Sequence, residues 1–158
     1  DAWNGAVSTF SRTNIFGDTV NPTGKNLYVG INTNLEKVSE TAIATPPTPA
    51  EMVAPSVSGL NINTSASVMA FDVANVAAGQ KMYIQASPSV SAGITNISSK
   101  IALIEVTAQV AGSLDVLTEY TAVYGAPVVG QKIFLRVSGI NTTTGQTSVP
   151  EIISAIAF

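Results

Sequence analysis

Ten carboxylates are the first candidates for acid–base chemistry in this sequence, because it contains neither histidine nor cysteine. The absence of histidine and cysteine excludes Ser-His-Asp and Cys-His nucleophiles and most zinc sites. Hydrolysis by a carboxylate pair stays open, with Glu105, Asp115 and Glu119 closest together in the second half of the chain. Asp18, Asp72 and Asp115 lack the clustered spacing of a calcium loop. We therefore expect no enzyme, and no catalytic, cofactor-binding or metal-binding residues.

The composition favours a surface of short neutral polar groups. Charged residues make up 11% of the chain, against roughly 25% in an average soluble domain. Such a surface is easily desolvated, because no ion has to lose its hydration. Two interpretations stay open: a protein packed into an assembly, or a secreted β-protein with a neutral coat.

Charge and hydropathy also limit the partners. The net charge is −3, and the seven basic residues are spread along the chain without a basic run, so we expect no nucleic acid partner. No apolar run reaches the length of about 18 residues that a membrane span requires. The chain starts at Asp1 without Met or a signal peptide, from which we expect a processed or partial product.

The first 40 residues predict a helical N-terminal segment. Trp3, Val7 and Phe10 have helical spacing, and a loop rich in Asn, Gly and Pro follows over 13–24. A second helix, with Thr23 as its N-cap, is predicted from one apolar face that comprises Leu27, Tyr28, Ile31, Leu35 and Val38. Residues 41–55 hold four of the eight prolines and predict a stiff linker.

From Ser56 to Phe158 the apolar period changes to two, which predicts β-strands. Turn signals separate these runs, and no helix pattern lies between most of them, so an antiparallel sandwich of about seven strands is expected. The segment 115–125 could be a short helix or a crossover. The side chains predicted to lie in the core are Met69, Phe71, Ile84, Ile133, Leu135 and Val137.

The end of the chain resembles a known family of β-domains. The stretch "IFLRVSGINTTTGQTSVPEIISAI" is similar to the last two strands of fibronectin type III-like domains, where an alternating strand leads into an Asn/Gly turn, then Ser-x-Pro, then a closing strand. The resemblance implies a mainly β fold, an immunoglobulin- or fibronectin III-like sandwich over 56–158. The chain departs from the family in lacking the usual Trp of an early strand, and the fold implies nothing about catalysis.

The beginning of the chain carries a second resemblance. The stretches "AWNGAVSTFSRTNIFGDTVNPTGKNLYVGINTNL" and "ATPPTP" resemble the N-terminal part of uncharacterised structural proteins from bacteriophages and related bacterial elements. In those proteins a Pro-rich connector precedes a β-domain. The resemblance implies a structural role in a virion or at a surface.

The last strand is apolar on both faces, with Ile152, Ile156 and Phe158 on one and Ile153 on the other. A sandwich strand that faces water should alternate, and an open edge invites pairing with another chain. We expect either the segment around Trp3 and Phe10 or a neighbouring subunit to cover this strand. The candidate assembly residues are Trp3, Phe10, Tyr83, Phe134, Ile153 and Phe158.

Together these patterns predict a structural subunit of a virion or of an extracellular filament. It would form a homo-oligomer and also contact other structural proteins. A cell-surface binding or adhesion module that recognises protein or carbohydrate is the alternative. Loops poor in aromatic residues favour the first interpretation over sugar binding. The expected location is the virion, the extracellular space or the cell surface.

Overall fold

The computed structural model describes residues 2–13, 16–75, 77–97 and 100–158. The chain divides into two compact units: Asp1–Met52 with Ile140–Thr147, and Val53–Gly139 with Ser148–Phe158. The first boundary lies inside the predicted Pro-rich linker. The segment Ile140–Thr147 belongs to the same unit as the N-terminal residues, although it lies far from them in the sequence. The sequence patterns did not predict this.

Two helices form the first unit's apolar cluster. Helix α1 spans Ala2–Ala6 and continues as a 3-10 turn over Val7–Phe10, and α2 spans Gly24–Lys37. The predicted N-cap is confirmed, because the Thr23 hydroxyl accepts a hydrogen bond of 3.2 Å from Asn26 N. The predicted apolar face is also confirmed, except that Tyr28 is 42% exposed. The buried members of the cluster are Trp3, Leu27, Ile31 and Leu35.

A short strand pair lies where the sequence predicted only a loop. Strand β1 (Arg12–Thr13) pairs antiparallel with β2 (Thr19–Val20). β-branched Thr and Val favour the extended backbone, which explains the difference. The predicted loop also includes Asn14 and Ile15, which lie outside the described residues.

The Pro-rich segment has no helix or strand, yet hydrogen bonds within the first unit fix it. The Asn32 side chain accepts from Ile43 N at 2.7 Å and donates to Ile43 O at 3.2 Å. The Trp3 indole Nε1 donates to Ala44 O at 2.8 Å. These bonds attach the first part of the linker to α1 and α2, so it is not a free tether.

The second unit is mainly β and contains two antiparallel sheets. Its elements are β3 (Ser56–Asn63), β4 (Val68–Ala74), β5 (Gln80–Ala86), β6 (Ala102–Ala108), β7 (Gly112–Asp115), α3 (Leu117–Tyr124), β8 (Lys132–Asn141) and β9 (Glu151–Ile156). One sheet has the order β3-β4-β7 and the other the order β6-β5-β8-β9. The strand number agrees with the sequence prediction, and the uncertain segment 115–125 is a helix.

Side chains from both sheets meet in one core, which gives a β-sandwich-like architecture. The predicted core residues Met69 and Phe71 come from β4, Ile84 from β5, and Leu135 from β8. All of these are at most 1% exposed. Ile133 and Val137 are buried in the same cluster. The period-two pattern therefore identified the inward face of each of these strands.

Helix α3 is held by two tyrosines. The Tyr124 hydroxyl accepts from Ala102 N at 2.9 Å and donates to Ala86 O at 2.8 Å. The Tyr120 ring is 1% exposed and lies 5.4 Å from the Tyr124 ring, between centroids. Its hydroxyl is 3.4 Å from the Ser89 hydroxyl.

Burial raises the pKa of Tyr120 above 10.0, an effect that the Ser89 hydroxyl partly opposes. The native state therefore holds the phenol proton more tightly than the unfolded state. This stabilisation is complete below about pH 10 and is lost as the pH rises through the native pKa. We expect Tyr120→Phe to flatten the fall in the free energy of unfolding above pH 10, measured by urea unfolding.

Tyr28→Phe is the control, because it makes the same chemical change in a ring that is 42% exposed. An identical fall in Tyr120→Phe and the unmodified protein would contradict the prediction.

Candidate functional site

Strand β9 presents an apolar row to solvent. Ile152 is 55% exposed, Ile156 47% and Phe158, just beyond the strand, 61%. Ile153 and Ala155, on the opposite face, pack against the core. We call Ile152, Ile156 and Phe158 the outer row; the exposed Ser154 lies between the two isoleucines on the same face. Exposed apolar side chains on one face of a strand are typical of a contact surface.

The neighbouring strand places positive charge beside this row. In the antiparallel register Arg136 lies opposite Ile152, and Lys132 lies opposite Ile156. Arg136 is exposed. The Lys132 ammonium donates to Ile94 O at 3.0 Å and lies 5.7 Å from the centre of the Phe134 ring. The outer row is thus apolar with a cationic border.

A second exposed apolar segment lies beside the end of β9. Gly130 N donates to Ala157 O at 2.8 Å, and Ala157 N donates to Gln131 O at 2.9 Å. These two bonds hold the backbone that follows Val128 and Val129 next to the last residues of the chain. Val128 is 48% exposed and Val129 63%. The apolar surface near Phe158 is therefore larger than one strand provides.

Strand β3 lies along the edge of β9. Val57 N donates to the Glu151 carboxylate at 3.3 Å. At the other end, Phe158 N donates to Ile62 O at 3.0 Å, and Thr64 N donates to Phe158 O at 2.8 Å. The sequence predicted that the Trp3 and Phe10 segment or a neighbour would cover β9. Within the described chain it is β3, the edge strand of the other sheet in the same unit, that satisfies backbone groups at the end of β9, and cover by a neighbour stays a prediction.

The structure distributes the six predicted assembly residues over very different environments. Trp3 and Phe134 are 7% and 5% exposed, so in this form of the chain they offer little surface to a partner. Phe10 and Ile153 are half-buried against their clusters, and Tyr83 is half-buried. Only Phe158 among the six exposes most of its side chain.

Ile153 was among the predicted interface residues, whereas Ile152 and Ile156 were not. The alternation along β9 already placed these two on the face opposite Ile153. The sequence does not show which of the two faces of β9 turns toward the core, because both faces carry similar apolar side chains. The positions of Ile133 and Leu135 on β8, paired with Ala155 and Ile153, decide this in the folded chain.

The acidic residues considered for catalysis have local bonding roles. The Asp115 carboxylate accepts from Met69 N at 3.2 Å and from Leu117 N at 3.0 Å. The Glu105 carboxylate accepts from Val106 N at 2.9 Å. Among the described residues, no group of three or more Asp and Glu side chains is arranged to hold a metal ion. No described helix is long and apolar enough to cross a membrane.

Comparison with protein-family models, with curated proteins and with solved structures gave no match. The resemblances to fibronectin type III-like domains and to phage structural proteins therefore stay predictions.

Proposed function

We propose that this protein is a structural subunit of a virion, as a capsid, decoration or tail-associated protein, or of an extracellular filament. It acts through assembly with copies of itself and with other structural proteins. The observation that carries this proposal is the outer row, in which Ile152, Ile156 and Phe158 are each about half exposed or more. Its expected location is the virion, the extracellular space or the cell surface.

The energetics of the surface support assembly. Fully burying a side chain such as Ile or Phe gains about 1.5–3 kcal/mol relative to full exposure, and each member of the row still exposes about half its side chain or more. The rest of the chain adds little opposing cost, since only 11% of its residues are charged and neutral polar groups lose less hydration than ions. Burying the outer row in a contact with another subunit is therefore expected to lower the free energy.

The first partner is a second copy of this chain. The outer row is bordered by Lys132 and Arg136 of β8, so basic groups on a partner would be repelled there. A copy has only seven basic residues among its 158, and its own outer row is apolar. A second copy therefore suits the row mainly in hydropathy.

The strand connections support a fibronectin type III-like sandwich as the assembling module. Strands β3 and β4 pair in one sheet, the chain crosses to β5 and β6 in the other, returns to β7, and ends with β8 and β9 beside β5. Crossing between sheets in this way is a Greek-key feature of such sandwiches. The three-plus-four division agrees with the resemblance of the last two strands to that family.

The test replaces both exposed isoleucines, Ile152→Ser and Ile156→Ser, in the full chain. We expect self-association to weaken by about tenfold or more, which corresponds to about 1.4 kcal/mol of lost contact energy. Sedimentation velocity over a concentration series measures it, and negative-stain microscopy shows whether ordered particles or fibres form.

Val110→Ser is the matched control, because Val110 is 65% exposed and lies between β6 and β7, away from the row in sequence. It should associate as the unmodified chain does. The proposal fails if the unmodified chain stays monomeric at high concentration, or if the double variant associates as strongly as the control.

A further inference from the structure

The first unit contains a groove of about 510 Å³ that the assembly proposal does not use. It lies between the end of the 3-10 turn at Phe10, one side of α2, and Gly145, Gln146 and Thr147 in the loop that follows β8. Ligand pockets in proteins commonly measure about 300–1,000 Å³. The groove is therefore large enough for a small molecule of one or two rings.

Among the residues whose side chains the structure describes, none that lines the groove is charged. The polar ones are amides and hydroxyls, including those of Asn26, Gln146 and Thr147. Within the part of the chain that the structure describes, the side chains of Asn26 and Thr147 make no hydrogen bond. Gln146 uses its amide oxygen to accept from Ala50 N at 2.7 Å, which leaves its amide nitrogen as a donor. Amides and hydroxyls both donate and accept, as the hydroxyl groups of a ligand do.

The loop side of the groove is held in place before any ligand arrives. Asn34 Nδ2 donates to Gly145 O at 3.0 Å, which fastens the loop to α2. Inside the loop, the Asn141 side-chain oxygen accepts from Thr143 N at 3.0 Å and from Thr144 N at 2.9 Å. A preformed wall lowers the ordering cost of binding.

Gly30 keeps the other wall open. It lies in the interior of α2, where glycine costs about 0.5–1 kcal/mol relative to alanine. A Cβ atom at this position would have nothing within 4 Å, so packing within the described chain does not require glycine. What the missing side chain does provide is free volume, because Gly30 lines the groove.

We propose that this groove binds a neutral, hydroxyl-rich small molecule of the saccharide class. The Phe10 ring, half-buried at the wall, supplies an apolar surface for the C–H face of a sugar ring. Asn26, Gln146 and Thr147 supply hydrogen bonds for its hydroxyl groups. A charged ligand would lose its hydration without meeting a counter-charge among the lining side chains.

The test is a titration of the full chain, followed through its backbone amide resonances. The probes are glucose and N-acetylglucosamine, with glucosamine and glucuronate as charged analogues. We expect the neutral sugars to shift the resonances of Asn26, Gly30, Gln146 and Thr147, and the charged analogues to bind at least about tenfold more weakly. If neither neutral sugar shifts these resonances at high concentration, the proposal is overturned.

The variant Gly30→Leu tests whether the groove is the site at which the sugar binds. Leucine has a higher helix propensity than glycine, so the variant should melt no lower than the unmodified chain while its side chain fills the groove and weakens sugar binding by about tenfold or more. Thr33→Leu places the same leucine side chain at an exposed position of α2 outside the groove and should bind as before. Unchanged binding by Gly30→Leu would also overturn the proposal.

Asn26→Ala gives a second variant in case Gly30→Leu disturbs the fold. Asn26 is exposed and its side chain bonds nothing in the described chain, so the change should leave the melting temperature as it is and still weaken binding. Full binding by Asn26→Ala would count against the assigned contacts. Sedimentation without sugar is expected to be the same for all these variants, so failure here is distinguishable from failure of the assembly proposal.

Discussion

Replacing Leu135 with alanine is expected to lower the free energy of unfolding by about 2–5 kcal/mol. Leu135 is 0% exposed in the middle of β8, and its cluster includes Phe71 of the opposite sheet. Removing the side chain loses its transfer free energy and also leaves a cavity that two sheets cannot easily fill. Urea unfolding monitored by circular dichroism measures the change.

Leu103→Ala is the matched control for this substitution. Leu103 lies on β6, an edge strand of the same sheet, and is 39% exposed. The same chemical change there should cost less than about 1 kcal/mol, because part of the side chain already contacts water and the neighbourhood can relax. Equal losses at the two positions would mean that Leu135 does not occupy a closely packed core.

Gly145→Ala is expected to give the largest local effect in the first unit. Gly145 has φ +62°, and a Cβ atom there would lie 2.5 Å from the carbonyl oxygen of Ile31. The left-handed backbone alone costs a non-glycine residue about 1–2 kcal/mol. The clash is with backbone of α2, which cannot rotate away, so the loop must leave its position and break the bond from Asn34 to Gly145 O.

Hydrogen exchange of the amides of residues 143–147 and thermal unfolding measure this effect. Gly130→Ala is the control, because Gly130 has φ +79° but its added Cβ would have nothing within 4 Å. Gly130→Ala therefore has the conformational cost of a left-handed backbone but causes no steric clash. If both substitutions destabilise the chain equally and exchange in the loop is unchanged, the contact between Gly145 and Ile31 is not what holds the loop.

Local patterns were enough to predict the elements whose signal lies within a few residues. The spacing of Leu27, Ile31 and Leu35 predicted α2, and the hydroxyl of Thr23 predicted its start. Period-two alternation predicted the inward face of β4, β5 and β8, because a strand with one buried face leaves that pattern in the chain. These predictions depend on neighbours in sequence, which is why they could be made without the fold.

Features that depend on distant partners could not be predicted in this way. Alternation placed Phe134 on the face opposite Leu135, but it cannot tell whether later parts of the chain cover that face, and Phe134 is 5% exposed. Likewise, nothing near Ile153 indicates that β3 lies along the edge of its strand. The groove was missed because its walls come from segments that lie more than a hundred residues apart.

The first unit includes the segment Ile140–Thr147, which lies far along the chain from the N-terminal residues. During protein synthesis the first unit therefore cannot be completed until this segment has been made. The bond between Asn34 and Gly145 joins residues 111 positions apart. At about 5–20 residues per second, a ribosome needs roughly 6–20 s to make the intervening chain. The contact between α2 and Gly145 therefore cannot form until residue 145 has emerged, and a chain that terminates before that residue contains the N-terminal helices without a finished first unit.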